Sequence, residues 1–199
     1  MSFSILRYNN PIYSSSITPF DSSDKILGLS SKCIYKVKIR NKIVYHIELY
    51  FYEDFGFIKF YPKKFENDPN RYKRVGLGLT LREKRSLFMT CCEIVSKYSE
   101  KNPDLIYAFV AQVYDRDNDL ERLIAIRYSI YKKLVTTYFS SDEYLHFSMD
   151  HFNFYAISKI NESDFIKKLQ ALIDKVEQDE EFCIQFMTQK QQQDLIKLK

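Results

Sequence analysis

From Cys33 to Tyr61 the chain runs through three consecutive strand-like segments separated by turn signals, and that pattern permits little except an antiparallel meander. Cys33-Ile-Tyr-Lys-Val-Lys-Ile-Arg40 sets Tyr35, Val37 and Ile39 against Lys36, Lys38 and Arg40. A period of two is a strand with one apolar and one wet face. Asn41-Lys42 stands where a tight hairpin turn belongs, and Ile43–Tyr52 is a second, strongly aromatic strand. Glu53-Asp-Phe-Gly56 offers a further turn, with Gly56 the residue expected to need a positive φ. Phe57–Tyr61 is a third strand, closed by Pro62.

The core that such a meander buries must be aromatic, because the 199 residues include 16 Tyr and 16 Phe but no Trp. With only four Gly in the chain, each one marks a place where the backbone asks for something special. Apolar residues make up 45% and charged residues 28%, the balance of a globular protein. Residues 1–30, rich in Ser and Asn with Pro11 and Pro19, read as an irregular arm with one short strand near Phe3–Tyr8. Residues 31–179 read as a single α/β domain and 180–199 as a helical tail. No stretch reaches the roughly 18 apolar residues of a membrane span. The first residues have neither the charged nor the apolar region of a secretory signal. Cys33, Cys91, Cys92 and Cys183 fit no zinc or disulfide spacing, so reduced thiols in a cytoplasm are expected.

After the meander, residues 63–74 are polar and loop-like, and Val75–Leu79 is ambiguous between strand and loop. Thr80 with Glu83 is a capping box for a helix over Leu81–Tyr98, stopped by Asn102-Pro103. Leu105–Ala111 is apolar throughout, as in a strand covered on both faces. Leu120–Phe139 is a second helix, Tyr144–Met149 and Phe152–Ser158 are two strands, and Glu162–Asp179 is a third helix. The order predicts an α/β (α+β) fold: a mixed, mostly antiparallel sheet from an N-terminal meander, with helices on its faces.

Lys73-Arg-Val-Gly-Leu-Gly78, leading into that first helix, has the make-up of an anion site: basic residues, then glycines that admit a phosphate to backbone N–H groups. The segment resembles the acyl-CoA-binding loop of GNAT acetyltransferases, with Lys73 where Arg or Gln is usual. The order of elements over roughly residues 32–139 resembles the GNAT core as well. The resemblance implies a V-shaped opening between the strand before the loop and the Leu105–Ala111 strand. It further implies free N–H groups at Gly76–Gly78, acetyl-CoA or another acyl-CoA held by Lys73, Arg74, Gly76 and Gly78, and Tyr131 as the acid.

Leu105–Tyr131, with Arg127, Ser129 and Tyr131 on one helix, also resembles a family of small bacterial proteins known only as a domain of unknown function. That likeness implies the fold and a bacterial cytoplasmic setting in regulation, toxin–antitoxin pairs or phage defence. Arg127 lies beside the apolar stripe, and Asp115, Asp117 or Asp119 is expected to neutralise it, because an unpaired buried charge is costly.

The remaining candidates read as structural. Asp115, Asp117, Asp119 and Glu121 are interleaved with Arg116 and Arg122 and lack the spacing of a calcium loop, so no metal site is expected. His146 and His151, with Asp150, read as surface hairpin residues. Cys91 and Cys92 sit in mid-helix, one facing the core and the other sideways. Charge is uneven: Lys32–Arg85 holds 14 basic and 6 acidic residues, a balance of +8, against 16 basic and 20 acidic elsewhere. Lysines interleaved with Tyr35, Tyr45, Tyr50, Tyr52 and Tyr61 are the make-up of a nucleic-acid-binding sheet, although these aromatics are also the natural core. The expectation is therefore a soluble binding or interaction protein on a GNAT-like scaffold, with an unidentified protein partner or a second copy of itself. An acyl-CoA-dependent N-acyltransferase is the alternative, and a nucleic-acid-binding module using 32–85 is the second.

Overall fold

The computed structural model describes residues 12–14, 29–40, 43–68, 71–74, 78–110, 118–150 and 153–177. A short strand β1 (Ile12–Ser14) precedes the meander β2 (Ser31–Arg40), β3 (Ile43–Phe51) and β4 (Phe55–Pro62). Two 3-10 turns, Lys63–Phe65 and Arg71–Arg74, lead towards helix α1 (Leu81–Lys101). Strand β5 (Ile106–Val110), helix α2 (Asn118–Tyr138), the hairpin β6 (Leu145–Met149) and β7 (Phe154–Ser158), and helix α3 (Glu162–Glu177) complete the chain. The seven strands form one mixed sheet in the order β1-β2-β3-β4-β5-β7-β6. All pairs are antiparallel except β4 with β5. A parallel pair needs a long crossover, and α1 is that crossover.

Alternation along each strand separates two cores. On one face Val37, Tyr45 and Leu49 pack with Phe88 and Ile94 of α1 and Val135 of α2. On the other, Phe57, Ala108 and Ala156 pack with Phe165 and Leu169 of α3. Full burial of such a side chain contributes about 1.5–3 kcal/mol, so the two faces carry most of the stability. The α1 N-terminus is closed by the expected capping box: Glu83 N–H donates to Thr80 Oγ1, and the Glu83 carboxylate accepts from the Thr80 N–H at 2.8 Å. Its last turn ends at Asn102, whose N–H reaches Tyr98 O at 2.8 Å before Pro103 stops the helix.

Several expectations are corrected. The first described strand is Ile12–Ser14, and Phe3–Tyr8 lies outside the described residues. The β3–β4 turn is the two-residue Glu53-Asp54, closed by Tyr52 N–H to Phe55 O at 2.7 Å. Gly56 is already inside β4 and has no positive φ; among the described residues that conformation belongs to Gly78 and Asn153. What demands glycine at 56 is space: a Cβ there would stand 2.8 Å from the Tyr107 ring. Both Cys91 and Cys92 are fully buried, and burial pushes both thiols up.

Gly56→Ala is expected to cost about 1–3 kcal/mol, since Tyr107 is itself fully buried and has little room to shift. Urea unfolding of the two proteins measures it; an unchanged midpoint would show that the β4–β5 seam tolerates a methyl group.

Candidate functional site

The β4–β5 pairing is short. Its register holds Phe55 with Ile106, Gly56 with Tyr107 and Phe57 with Ala108, and no pair follows among the described residues. Yet β4 continues to Pro62 and β5 to Val110. Each is held by its other neighbour instead: Pro62 pairs with Tyr45 of β3, and Val110 with Phe154 of β7. The two strands therefore part at their carboxyl ends and leave a wedge. Crevices at the carboxyl ends of parallel strands are where open α/β sheets bind ligands.

Tyr131 belongs to this wedge. Its ring stacks on Phe88 of α1, with centroids 4.4 Å apart and planes 8° from parallel. It meets Phe60 of β4 edge-on at 6.4 Å, while Phe88 contacts Phe109 of β5 at 5.7 Å. Phe60 and Phe109 both lie beyond the last β4–β5 pair, so Tyr131 touches one lip directly and the other through Phe88. The loop residues are placed in part. Lys73 and Arg74 lie in the second 3-10 turn, where only their backbone is described. Gly78 is exposed with φ +71 and open space around its Cβ position, and Gly76 lies outside the described residues. The N–H of Thr80, next along, is already taken by Glu83.

A second cluster lies on the other face of β3, where the polar positions read as a wet edge. Glu48 is 1% exposed. Its Oε1 meets the Lys32 ammonium at 2.6 Å and accepts from the Tyr61 hydroxyl at 3.2 Å. Its Oε2 accepts from Tyr50 at 2.7 Å and from Tyr72 of the second 3-10 turn. Burial alone would push the carboxyl up, but the Lys32 ammonium and the phenol donors hold it below the usual carboxylate range. The same burial and the Glu48 charge push Tyr50, Tyr61 and Tyr72 up, so all three stay protonated donors. Arg71 lies over the Tyr61 and Tyr72 rings and donates from Nη2 to Tyr72 at 3.2 Å. Its buried Nε has no partner. His46 completes the edge, 3.3 Å from the Tyr61 hydroxyl and 3.6 Å from Glu66.

This Glu48 cluster was not visible as a site in the sequence. Glu48 and His46 occupy ordinary polar positions of an alternating strand, and only the 3-10 turns folded over them make the face dry. Every acceptor is filled, so Glu48 acts as a fixed negative charge that ties Tyr72, and with it the approach to the Gly78 loop, onto the sheet.

The other candidates resolve as follows. Arg127, Asp119 and Glu121 lie on α2 with only their backbone described, and Asp115, Asp117 and His151 lie outside the described residues. His146 is not a free surface residue: it is half-buried, with Nδ1 2.8 Å from the Tyr155 hydroxyl, and burial lowers its pKa. Asp150 is exposed and holds the Tyr128 hydroxyl at 2.7 Å and Lys132 at 2.9 Å, tying α2 to the β6–β7 hairpin. The described residues contain no group of His, Cys, Asp and Glu fit to hold a metal.

Glu48→Gln is expected to cost about 3 kcal/mol or more, because it leaves the Lys32 ammonium buried without its counter-charge. Tyr72→Phe removes a single donor and should cost about 1–2 kcal/mol. The folded Glu48 pKa lies below the unfolded one, so its stabilisation is complete above the ordinary carboxylate range. It is lost as pH falls through the folded value. Urea midpoints as a function of pH should therefore show a shallower acid limb in Glu48→Gln; parallel limbs would mean that Glu48 is not charged in the fold. Comparison with profiles of protein families, with curated proteins and with solved structures gives no match, so geometry alone characterises this site.

Proposed function

We propose that the chain binds an acyl-CoA in the β4–β5 wedge and transfers the acyl group to an amine, on a GNAT-like scaffold. The observation that supports this reading is the β4–β5 register, which ends after three parallel pairs while both strands run on. An open strand edge takes an extended chain that carries amides, by the same hydrogen bonds that add a strand to a sheet. The pantetheine arm of CoA is such a chain. In sequence, Lys73 and Arg74 stand next to the glycine pair, and a pyrophosphate would take its positive partners from them.

The chemistry is then acyl transfer by direct attack. The amine nitrogen attacks the thioester carbonyl carbon, the C–N bond forms and the C–S bond breaks. Tyr131, at the lips of the wedge, gives its proton to the departing thiolate, and the amine proton passes to solvent. A protein-interaction role has less support. The large exposed apolar residues among those described are Leu81, Ile130 and Ile166, one on each of three helices, and they form no patch.

Acetyl-CoA at about 100 times its Kd is expected to stabilise the protein by about 2.7 kcal/mol, a rise of about 5–10 °C in Tm at this size. Gly78→Val forces a β-branched residue to a positive φ in open space, which strains the loop without touching the core. It should fold and lose the shift. Tyr131→Phe should keep the shift and slow thiol release from acetyl-CoA. No shift in the wild-type protein at millimolar acetyl-CoA or CoA would remove this reading.

A further inference from the structure

We infer that the face of the sheet opposite α1, around Lys36, Lys38, Lys63 and Lys64, is a docking surface for the phosphate backbone of a nucleic acid. This inference stands apart from the acyl-CoA reading and uses different atoms.

The excess charge of residues 32–85 is gathered on one side. Even-numbered positions of β2 share the face of Glu48, as the register sets Ile34 opposite Glu48 and Lys36 opposite His46. The first 3-10 turn packs on β3 and the second on β4, bringing Lys63 and Lys64 to the same side. Lys36 and Lys63 both bear electrostatically on His46, which confirms their common neighbourhood. All four lysines are exposed.

Three of the six acids of the same segment are turned to other partners: Glu48 is buried against Lys32, Asp54 pairs with Lys168 of α3, and Glu83 closes the α1 cap. Glu66 lies 3.6 Å from His46, whose burial favours the neutral ring. Lys36, Lys38 and Lys63 enter no ion pair among the described residues. Lys64 lies over the Phe65 ring. Arg71 adds a guanidinium beside two tyrosine rings.

Two features select a phosphate backbone over an acidic protein. A protein interface needs an apolar centre within its polar rim; beside these lysines Ile34 and Val44 are only partly exposed, and among the described residues no large apolar side chain of β2, β3 or the 3-10 turns is fully exposed. Exposed ammonium groups suit phosphates, which need charge and no dry core. Base stacking takes no part. Tyr35, Tyr45, Tyr50, Tyr52 and Tyr61, the aromatics that suggested it in the sequence, are all buried. Binding should accordingly be independent of sequence and steeply dependent on salt.

The test is fluorescence anisotropy of a short labelled duplex of mixed sequence between about 50 and 200 mM salt. The wild-type protein is compared with K36E/K38E, the neutral K36Q/K38Q and a charge-matched control, K101E/K133E, on the opposite face. Four phosphate contacts give a slope of log K on log salt of about −3.6, and each double substitution at 36 and 38 should reduce it by about two. Binding at the lowest salt should weaken at least tenfold in both, with the control near wild type and all variants melting cooperatively. Three results would overturn the inference: no binding at about 50 mM salt, equal loss in the control, or polyglutamate of equal charge bound as tightly as the duplex. The acetyl-CoA melting shift, measured on the same variants, separates the two surfaces: it should be unchanged by K36E/K38E whether or not the duplex binds.

Discussion

Among the described residues, three parallel pairs between β4 and β5 join the meander to the second half of the sheet in the plane of its hydrogen bonds. The seam is tight because Gly56 lets the Tyr107 ring lie against the β4 backbone. Beyond it the strands part, and the opening is stable because neither lip depends on the other. β4 is bonded along its length to β3 and β5 to β7, so closing the wedge would mean breaking ladders already satisfied. Under the proposed reading these strand ends would receive a ligand without rearranging, and such pre-organisation favours affinity.

The Glu48 cluster extends the same rigidity to the wedge's approach. A carboxylate taken out of water is costly unless every lone pair is used, and here an ammonium and three phenols use them. Because one of those phenols is Tyr72, the condition for burying Glu48 is that the second 3-10 turn lies down on the sheet. The place of that turn, which holds Lys73 and Arg74, is thus set by a charge on the opposite side of the strand from the helix core.

Much of the fold could be read from local pattern. The strands of the meander and the Thr80–Glu83 cap follow from periodicity and short-range hydrogen bonding, which need no knowledge of partners, whereas Ile130, at an apolar-stripe position of the second helix, is exposed. What could not be read depends on distant residues. Gly56 looks like a turn glycine until Tyr107 is known to press on it from a strand that follows a helix. Glu48 and His46 look solvated until residues 63–74 fold back over them. The wedge is a matter of where pairing stops, and no residue between 58 and 62 announces that it lacks a neighbour. Tyr131, likewise, is placed only by its contacts with Phe60 and Phe88, which come from a strand and a helix distant in sequence.

All these features converge on β4. Lys59 and Tyr61 point to the polar face, where Lys59 stands over the Tyr50 and Tyr72 rings and Tyr61 bonds Glu48. Ile58 and Phe60 point to the helix face, where Phe60 meets Tyr131. The backbone between them borders the wedge. A side-chain period of two makes these assignments interdependent: a slip of one residue against β3 would send Lys59 and Tyr61 into the aromatic core and Phe60 onto the basic face. Burying a lysine there and stripping Glu48 of a donor would both be costly, so the register is held by the two faces jointly. The wedge and the basic face are consequences of one alignment, and a sequence change that moves that alignment alters both.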